Sequence, residues 1–382
     1  MTVLTRRVIV PVLVLAASFA GLSVAPDPQR GTAPLPARLT DQEFWRLSTD
    51  LSEPNGFFRS ENLVSNEHTF QYVVPSLKRS VRPGGVYLGV APDQNFTYIL
   101  AVRPRMAFIV DIRRGNLLEH LMYKALIELS ADRAEFLSRL FSKPRPAGLS
   151  ARSTVTELFS AYDRVETSKE YYAENLNAVE HHLMKRHGFT MSAGDVEQLE
   201  NIYWAFFWEG PGLRYSTSPN GLGGRGYGGN FPTYEELMLQ TDWDGENHGY
   251  LASEDNFRLL KSLQERNLIV PVVGNFAGPK ALRAVGRYIR ERGATIAAFY
   301  VSNVEQYLFQ DNLFDHFARN VATLPLDDSS TFIRSVSSRF GYMGPFQWTD
   351  GRASALDRIR PFVRDFESGK IRSYYDVNVR SR

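Results

Sequence analysis

The chain has 382 residues, 43% of them hydrophobic and 23% charged, room for one large soluble domain or two ordinary ones. A net charge of +2 without a polybasic stripe argues against dedicated nucleic-acid binding. The lack of cysteine excludes disulfides, thiolate catalysis, iron–sulfur clusters and cysteine zinc sites, and leaves seven histidines as imidazole ligands.

At the start, Arg6-Arg7 precede an uncharged run from Val8 to Ala25, the layout of an export signal, with small residues spaced for cleavage at Ser18-Phe19-Ala20. The run is also about long enough to anchor in a bilayer. Residues 1–25 are therefore expected to be a signal peptide or N-terminal anchor, and 26–39 a Pro-rich linker. That makes the domain exported, periplasmic or anchored, with membrane contact only through this segment; a cytoplasmic location is the alternative. Thr40, with Glu43 three residues on, opens a helix by a capping box.

Two stretches then repeat the order strand, loop, helix, strand. The first runs from Gly84 to Phe96 and on to Met106–Asp111, an apolar strand, a turn holding Gly89 and Pro92, a short helix, and a second strand closing on an acid. The second runs from Asn267 to Gly278, through a helix from Pro279 to Arg292, to the strand Ala294–Val301 and Ser302-Asn303. Uninterrupted apolar runs fit strands buried on both faces, and right-handed crossovers would lay all four parallel with their carboxyl ends on one edge. Between the units come a long helical pattern from Asn116 to Phe141, a helical insertion at about 144–210 that would cap the carboxyl edge, and a Gly-rich loop at 210–230. Tyr215, Tyr227 and Phe231 give that loop the composition of a lid. Val304 to Phe317 reads as helix and Asp376–Val379 as an edge strand. The expected fold is α/β: a mostly parallel, Rossmann-like sheet flanked by helices, in a single domain over 40–382.

Ligand sites in such sheets form at the carboxyl edge, where the candidates are Gly89, Asp93, Asn95, Asp111, Arg113, Asn275 and Asn303. Asp93, Gln94 and Asn95 stand at a helix start, where side chains commonly cap the backbone and exposed N–H groups receive ligands. Arg113 and Arg114 offer guanidinium forks for a carboxylate or phosphate, or for ordinary salt bridges. His120, close to the same edge, is a candidate general base. Glu180, His181, His182 and His187 form a histidine cluster, but His181 and His182 point roughly 100° apart on a helix, so no metal is expected. Asp242, Asp244, Glu246 and His248 make an acid-rich loop suited to acid–base work, to calcium, or to a plain turn.

This order resembles the class I, S-adenosylmethionine-dependent methyltransferase fold, with Gly89-Val90-Ala91-Pro92 at its glycine-rich motif and Asp111 at its ribose-binding acid. The segments DQNFTYI, FIVDIRRGN, ELSADRAEFLSRLF, VVGNFAGPKAL and FYVSNVEQYLF also resemble a bacterial family of unknown function. The fold resemblance implies S-adenosylmethionine or a related nucleoside held by Gly89, Asp93, Asn95, Asp111 and Arg113, with Asn275, Asn303 and His120 towards the substrate. Two features depart from it: Gly89 is the sole glycine between Leu88 and the helix, and Gly274–Gly278 lacks the Asn/Asp-Pro-Pro-aromatic motif. The alternative is an exported binding or structural protein that keeps the sheet without cofactor chemistry. A hydrolase using the loop around Asp242 is a third.

Overall fold

The apolar runs of the two units form four adjacent strands, β1 (Val86–Gly89), β2 (Met106–Asp111), β3 (Ile269–Val273) and β4 (Ile296–Ser302). Every residue in them is buried except the half-buried Ser302, as expected of strands covered on both faces. β5 (Leu326–Ser337) and β6 (Arg352–Arg358) complete a six-stranded sheet of order β3-β2-β1-β4-β5-β6. All neighbours are parallel except β6, which returns antiparallel along β5. The four strands of the two units thus bring their carboxyl ends to one edge. Successive strands run outward in opposite directions from β1 and β4, so the order reverses between them. This computed structural model describes residues 34–215, 231–338, 349 and 351–381; the expected leader and most of the Gly-rich loop lie outside them.

The helices follow in chain order. α1 (Asp41–Leu51) starts at the Thr40–Glu43 capping box, and α2 (Val74–Ser80) precedes β1. α3 (Gln94–Val102) links β1 to β2. The long pattern after β2 is two helices rather than one, α4 (Arg114–Leu129) and α5 (Arg133–Phe141). The break falls where Asp132 caps α5, accepting from the Glu135 amide at 2.8 Å, and where buried Arg133 pairs with Glu254 at 3.2 Å. α6 (Val155–Tyr162), α7 (Lys169–His181) and α8 (Ala193–Glu209) form the insertion. It packs on α4 and α5, and meets the edge where Asp195 pairs with Arg114 and Gln198 lies beside Gly115.

α9 (Tyr234–Leu239) and α10 (Glu254–Glu265) lead to β3, and α11 (Ala281–Arg290) links β3 to β4. The stretch after β4 divides at Asp311–Leu313 into α12 (Val304–Gln310) and α13 (Phe314–Ala322). α14 (Ile359–Glu367) covers β5, and the expected edge strand at 376–379 is instead helix α15 (Tyr374–Arg380), opened by a Ser373–Asp376 capping box. Leu35 and Leu39, at the end of the expected linker, are buried in the core. Among the described residues no helix is long and apolar enough to cross a membrane.

A buried ion triad fastens the sheet's far side. Arg334 on β5, 1% exposed, meets Glu305 of α12 at 2.5 Å and Asp357 of β6 at 2.8 Å, with its guanidinium over the Phe332 ring. Burial opposes the charge, but the two carboxylates outweigh it and raise the Arg334 pKa. Removing one partner strands buried charge, so Arg334→Met is expected to lower stability by about 3–5 kcal/mol in urea denaturation. A change under about 1 kcal/mol would show that the triad is not a fastening.

Candidate functional site

The reversal between β1 and β4 opens a pocket of about 970 Å³, mouth included. Its base is Ala91, Asp111 and Arg113; its walls include Phe58, Glu67, Asn275, Tyr300, Asn303 and Tyr307. Two non-glycine residues at the ends of the flanking strands hold left-handed backbone, Ala91 at φ 67° and Ser302 at φ 51°. Such conformations carry a cost and persist where surrounding structure fixes them.

What fixes the β1–α3 loop is Asn95. Its Nδ2 lies 2.7–3.1 Å from the carbonyls of Val90, Ala91 and Pro92, and its Oδ1 accepts from the Tyr87 hydroxyl at 2.8 Å. A Cβ at position 89 would stand 1.9 Å from that Oδ1, so Gly89 is required by the staple. Gly89 and Asn95, expected to contact a ligand, shape the loop from beneath and do not line the pocket.

Asp111 joins this loop to the next. Its Oδ1 accepts from the Arg113 amide at 2.9 Å and from Arg113 Nε at 3.1 Å. Its Oδ2 accepts from the Ala91 amide and from Arg113 Nη2, both at 3.3 Å. Across the pocket is a group that the sequence reading did not single out. Glu67, 2% exposed, accepts from the Tyr300 hydroxyl at 2.8 Å and Ser302 Oγ at 2.6 Å, and its other oxygen accepts from Gln94 Nε2 at 2.9 Å. It belongs to the segment between α1 and α2, whose irregular backbone gives no periodicity to read. Asn275 and Asn303 line the pocket as expected, although Asn275 Oδ1 accepts from the Ala277 amide at 2.9 Å.

The other candidates turn away. Asp93 does not cap α3; it is 1% exposed and accepts from the Tyr250 hydroxyl at 2.7 Å, which in turn meets the Tyr234 hydroxyl at 2.6 Å. Burial pushes its pKa up to about 7, against the pull of the Tyr250 hydrogen bond. His120 lies under the loop, Nε2 donating to the Ala91 carbonyl at 2.9 Å, and burial pushes it down to about 4. It does not line the pocket, which leaves it a support for the loop rather than a base. Beside it Glu119 is fully buried and neither oxygen has a hydrogen-bond partner; burial raises its pKa well above the usual range, against the attraction of Arg113.

Arg114 is spent on Asp195, 2.9 Å away. The acid-rich loop is a turn: Asp242 Oδ1 accepts from the amides of Asp244 and Glu246, each at 2.9 Å, while Oδ2 meets His248 Nε2 at 2.7 Å. None of its residues lines the pocket. Tyr215, just before the undescribed part of the Gly-rich loop, lines it and packs edge-on against Phe231 at 5.2 Å.

The chain belongs to a family described as a domain of unknown function (DUF7790), whose model matches residues 62–195 and 232–357. The match includes Glu67, Asp111, Arg113, Asn275, Tyr300 and Asn303. No curated protein matches the chain.

The two buried groups under the loop make opposite demands on pH. Asp93, whose folded pKa is raised, favours the fold most below the ordinary carboxylate range and loses that contribution as pH rises towards 7. His120, whose folded pKa is depressed, contributes fully above its ordinary value and loses the contribution as pH falls towards 4. Between pH 4 and 7 the stability of Asp93→Asn, measured in urea, should rise more steeply with pH than the parent's, and that of His120→Gln less steeply. Parallel profiles for all three proteins would refute this assignment.

Proposed function

Starting from a family with no assigned activity, we propose that the pocket binds S-adenosylmethionine or a related nucleoside, on a Rossmann-like sheet of methyltransferase type. The observation that carries the reading is Asp111: an acid at the carboxyl end of β2, lining a pocket at the point where strand order reverses. Doubly wound sheets hold a ribose diol with an acid so placed. A diol would approach Asp111 Oδ2, whose two present hydrogen bonds are the longer ones at 3.3 Å. Phe58, Phe276 and Tyr307 offer faces for a base, and Glu67 supplies negative charge for a cationic group such as a sulfonium or ammonium. Asn275 and Asn303 remain on the substrate side.

A second reading, a binding or structural protein without transfer chemistry, rests on the same carboxylate. Asp111 is already paired with Arg113, and the Ala91 amide that a cofactor would use is given to Asp111. An exported location would favour this reading, because S-adenosylmethionine is a cytoplasmic metabolite.

Calorimetry with S-adenosylmethionine separates the two. The first reading expects micromolar binding, weakened at least about tenfold in Asp111→Asn and in Asn303→Ala but unchanged in Arg114→Ala, whose side chain is outside the pocket. Absence of binding at millimolar ligand, or equal binding by all variants, would remove the cofactor from this pocket.

A further inference from the structure

We propose a site for a divalent transition metal of the zinc class on Glu128, His182 and His187. None of the three lines the pocket, and the site is independent of the function proposed for it.

Its geometry begins with an irregular helix. α7 continues as a π-helical turn over His182–Arg186, closed by a hydrogen bond from the His187 amide to the His182 carbonyl at 3.0 Å. In an α-helix, residues five apart point roughly 140° from each other. The wider π turn brings them together, and such turns recur at functional sites. The two imidazoles meet edge-to-face with centroids 4.7 Å apart, and each Nε2 stands 2.7 Å from Oε2 of Glu128, in the last turn of α4. Phe189 stacks on the His187 ring at 5.0 Å and holds its plane.

The groups behind these ligands point to a metal. His187 Nδ1 lies 2.7 Å from Asp41 Oδ1, and Asn267 Nδ2 donates to that carboxylate oxygen at 2.8 Å. A carboxylate on the far nitrogen is what orients a metal-bound imidazole. Both ring nitrogens of His187 therefore face carboxylate oxygens, which a neutral imidazole cannot satisfy, since one of its nitrogens is an acceptor. Either a second ring proton or a metal ion on Nε2 removes the conflict, and both leave Nδ1–H for Asp41. Lys124 donates to Glu128 Oε1 at 2.5 Å and to the Gln264 carbonyl at 2.6 Å, so it occupies the other oxygen and leaves Oε2 for the metal. The two carboxylates face the buried ammonium of Lys124; of the cations farther out, Lys261 donates to the Glu128 carbonyl at 3.1 Å and the exposed Arg186 lies 3.9 Å from Asp41. Metal bonds of about 2.0–2.1 Å at tetrahedral angles set ligand atoms about 3.3–3.4 Å apart, so the present 2.7 Å contacts would open by roughly 0.6–0.7 Å. Two imidazoles and one carboxylate suit zinc, with a fourth position for water. The ion would tie α4 to the π turn and, through Asp41, to α1.

The test uses the untagged full chain, stripped with a chelator and titrated with Co²⁺ and then Zn²⁺. One equivalent per chain should bind, giving the visible bands of low-coordinate cobalt, and zinc should raise the melting temperature. His182→Gln and His187→Gln should each weaken binding at least about a hundredfold, and Asp41→Asn about 10–100-fold. His248→Gln, in the separate Asp242 turn, should leave it unchanged. Circular dichroism verifies that each variant is folded. Failure of the folded parent chain to bind either ion stoichiometrically, as when protons alone satisfy the cluster, overturns the site. So does binding that survives in the His182→Gln, His187→Gln double variant.

Discussion

One carboxylate holds the ligand edge in shape. Asp111 ends β2, yet its two oxygens accept from the loop after β1 and from the backbone and guanidinium that begin α4. Because β1 and β2 are neighbours in register, that bridge sets the spacing of the two loops from which the pocket rises. Asn95 supports the same loop from below, through three carbonyls. The base of the pocket is thus built before any ligand arrives, which keeps the conformational cost of binding small.

Beneath this base the interior holds several polar side chains. Asp93, Glu119, His120 and Tyr250 are all buried around the ring of Phe96 or next to it, and Arg113 is the cation closest to hand. Desolvation keeps these groups near neutrality: the acids are pushed up and the imidazole down. Neutral forms are inexpensive to bury where charges are not. The loop therefore rests on groups whose charged forms burial disfavours, under a pocket that already holds Asp111, Arg113 and Glu67.

Much of this was legible in the sequence, and the limits have physical causes. Strands buried on both faces leave continuous apolar runs, so β1 to β4, their common direction and the edge positions of Asp111, Arg113, Asn275 and Asn303 could all be read. Asp93 and His120 were placed at the right edge, but the rotation of α3 and α4 decides where their side chains point, and a pattern of residue types does not encode it. Glu67 was invisible because it reaches the pocket from an irregular segment. The pairing of His182 with His187 was missed because α-helical spacing was assumed across a π turn. At Asp376–Val379 the alternation of Val377 and Val379 suggested a strand, whereas the Ser373–Asp376 cap starts a helix.

The order of the strands in the sheet also bears on how the chain is made. β1 and β2 emerge early, but β2 waits for β3 and β1 for β4 until the entire helical insertion has been synthesised. At ordinary ribosomal speeds that wait is roughly ten to thirty seconds. During it a two-stranded apolar ribbon has both edges open, a template for unwanted pairing. Whatever shields that ribbon while the remainder of the chain is still arriving therefore bears on the protein's yield in a cell, alongside the stability of the finished sheet.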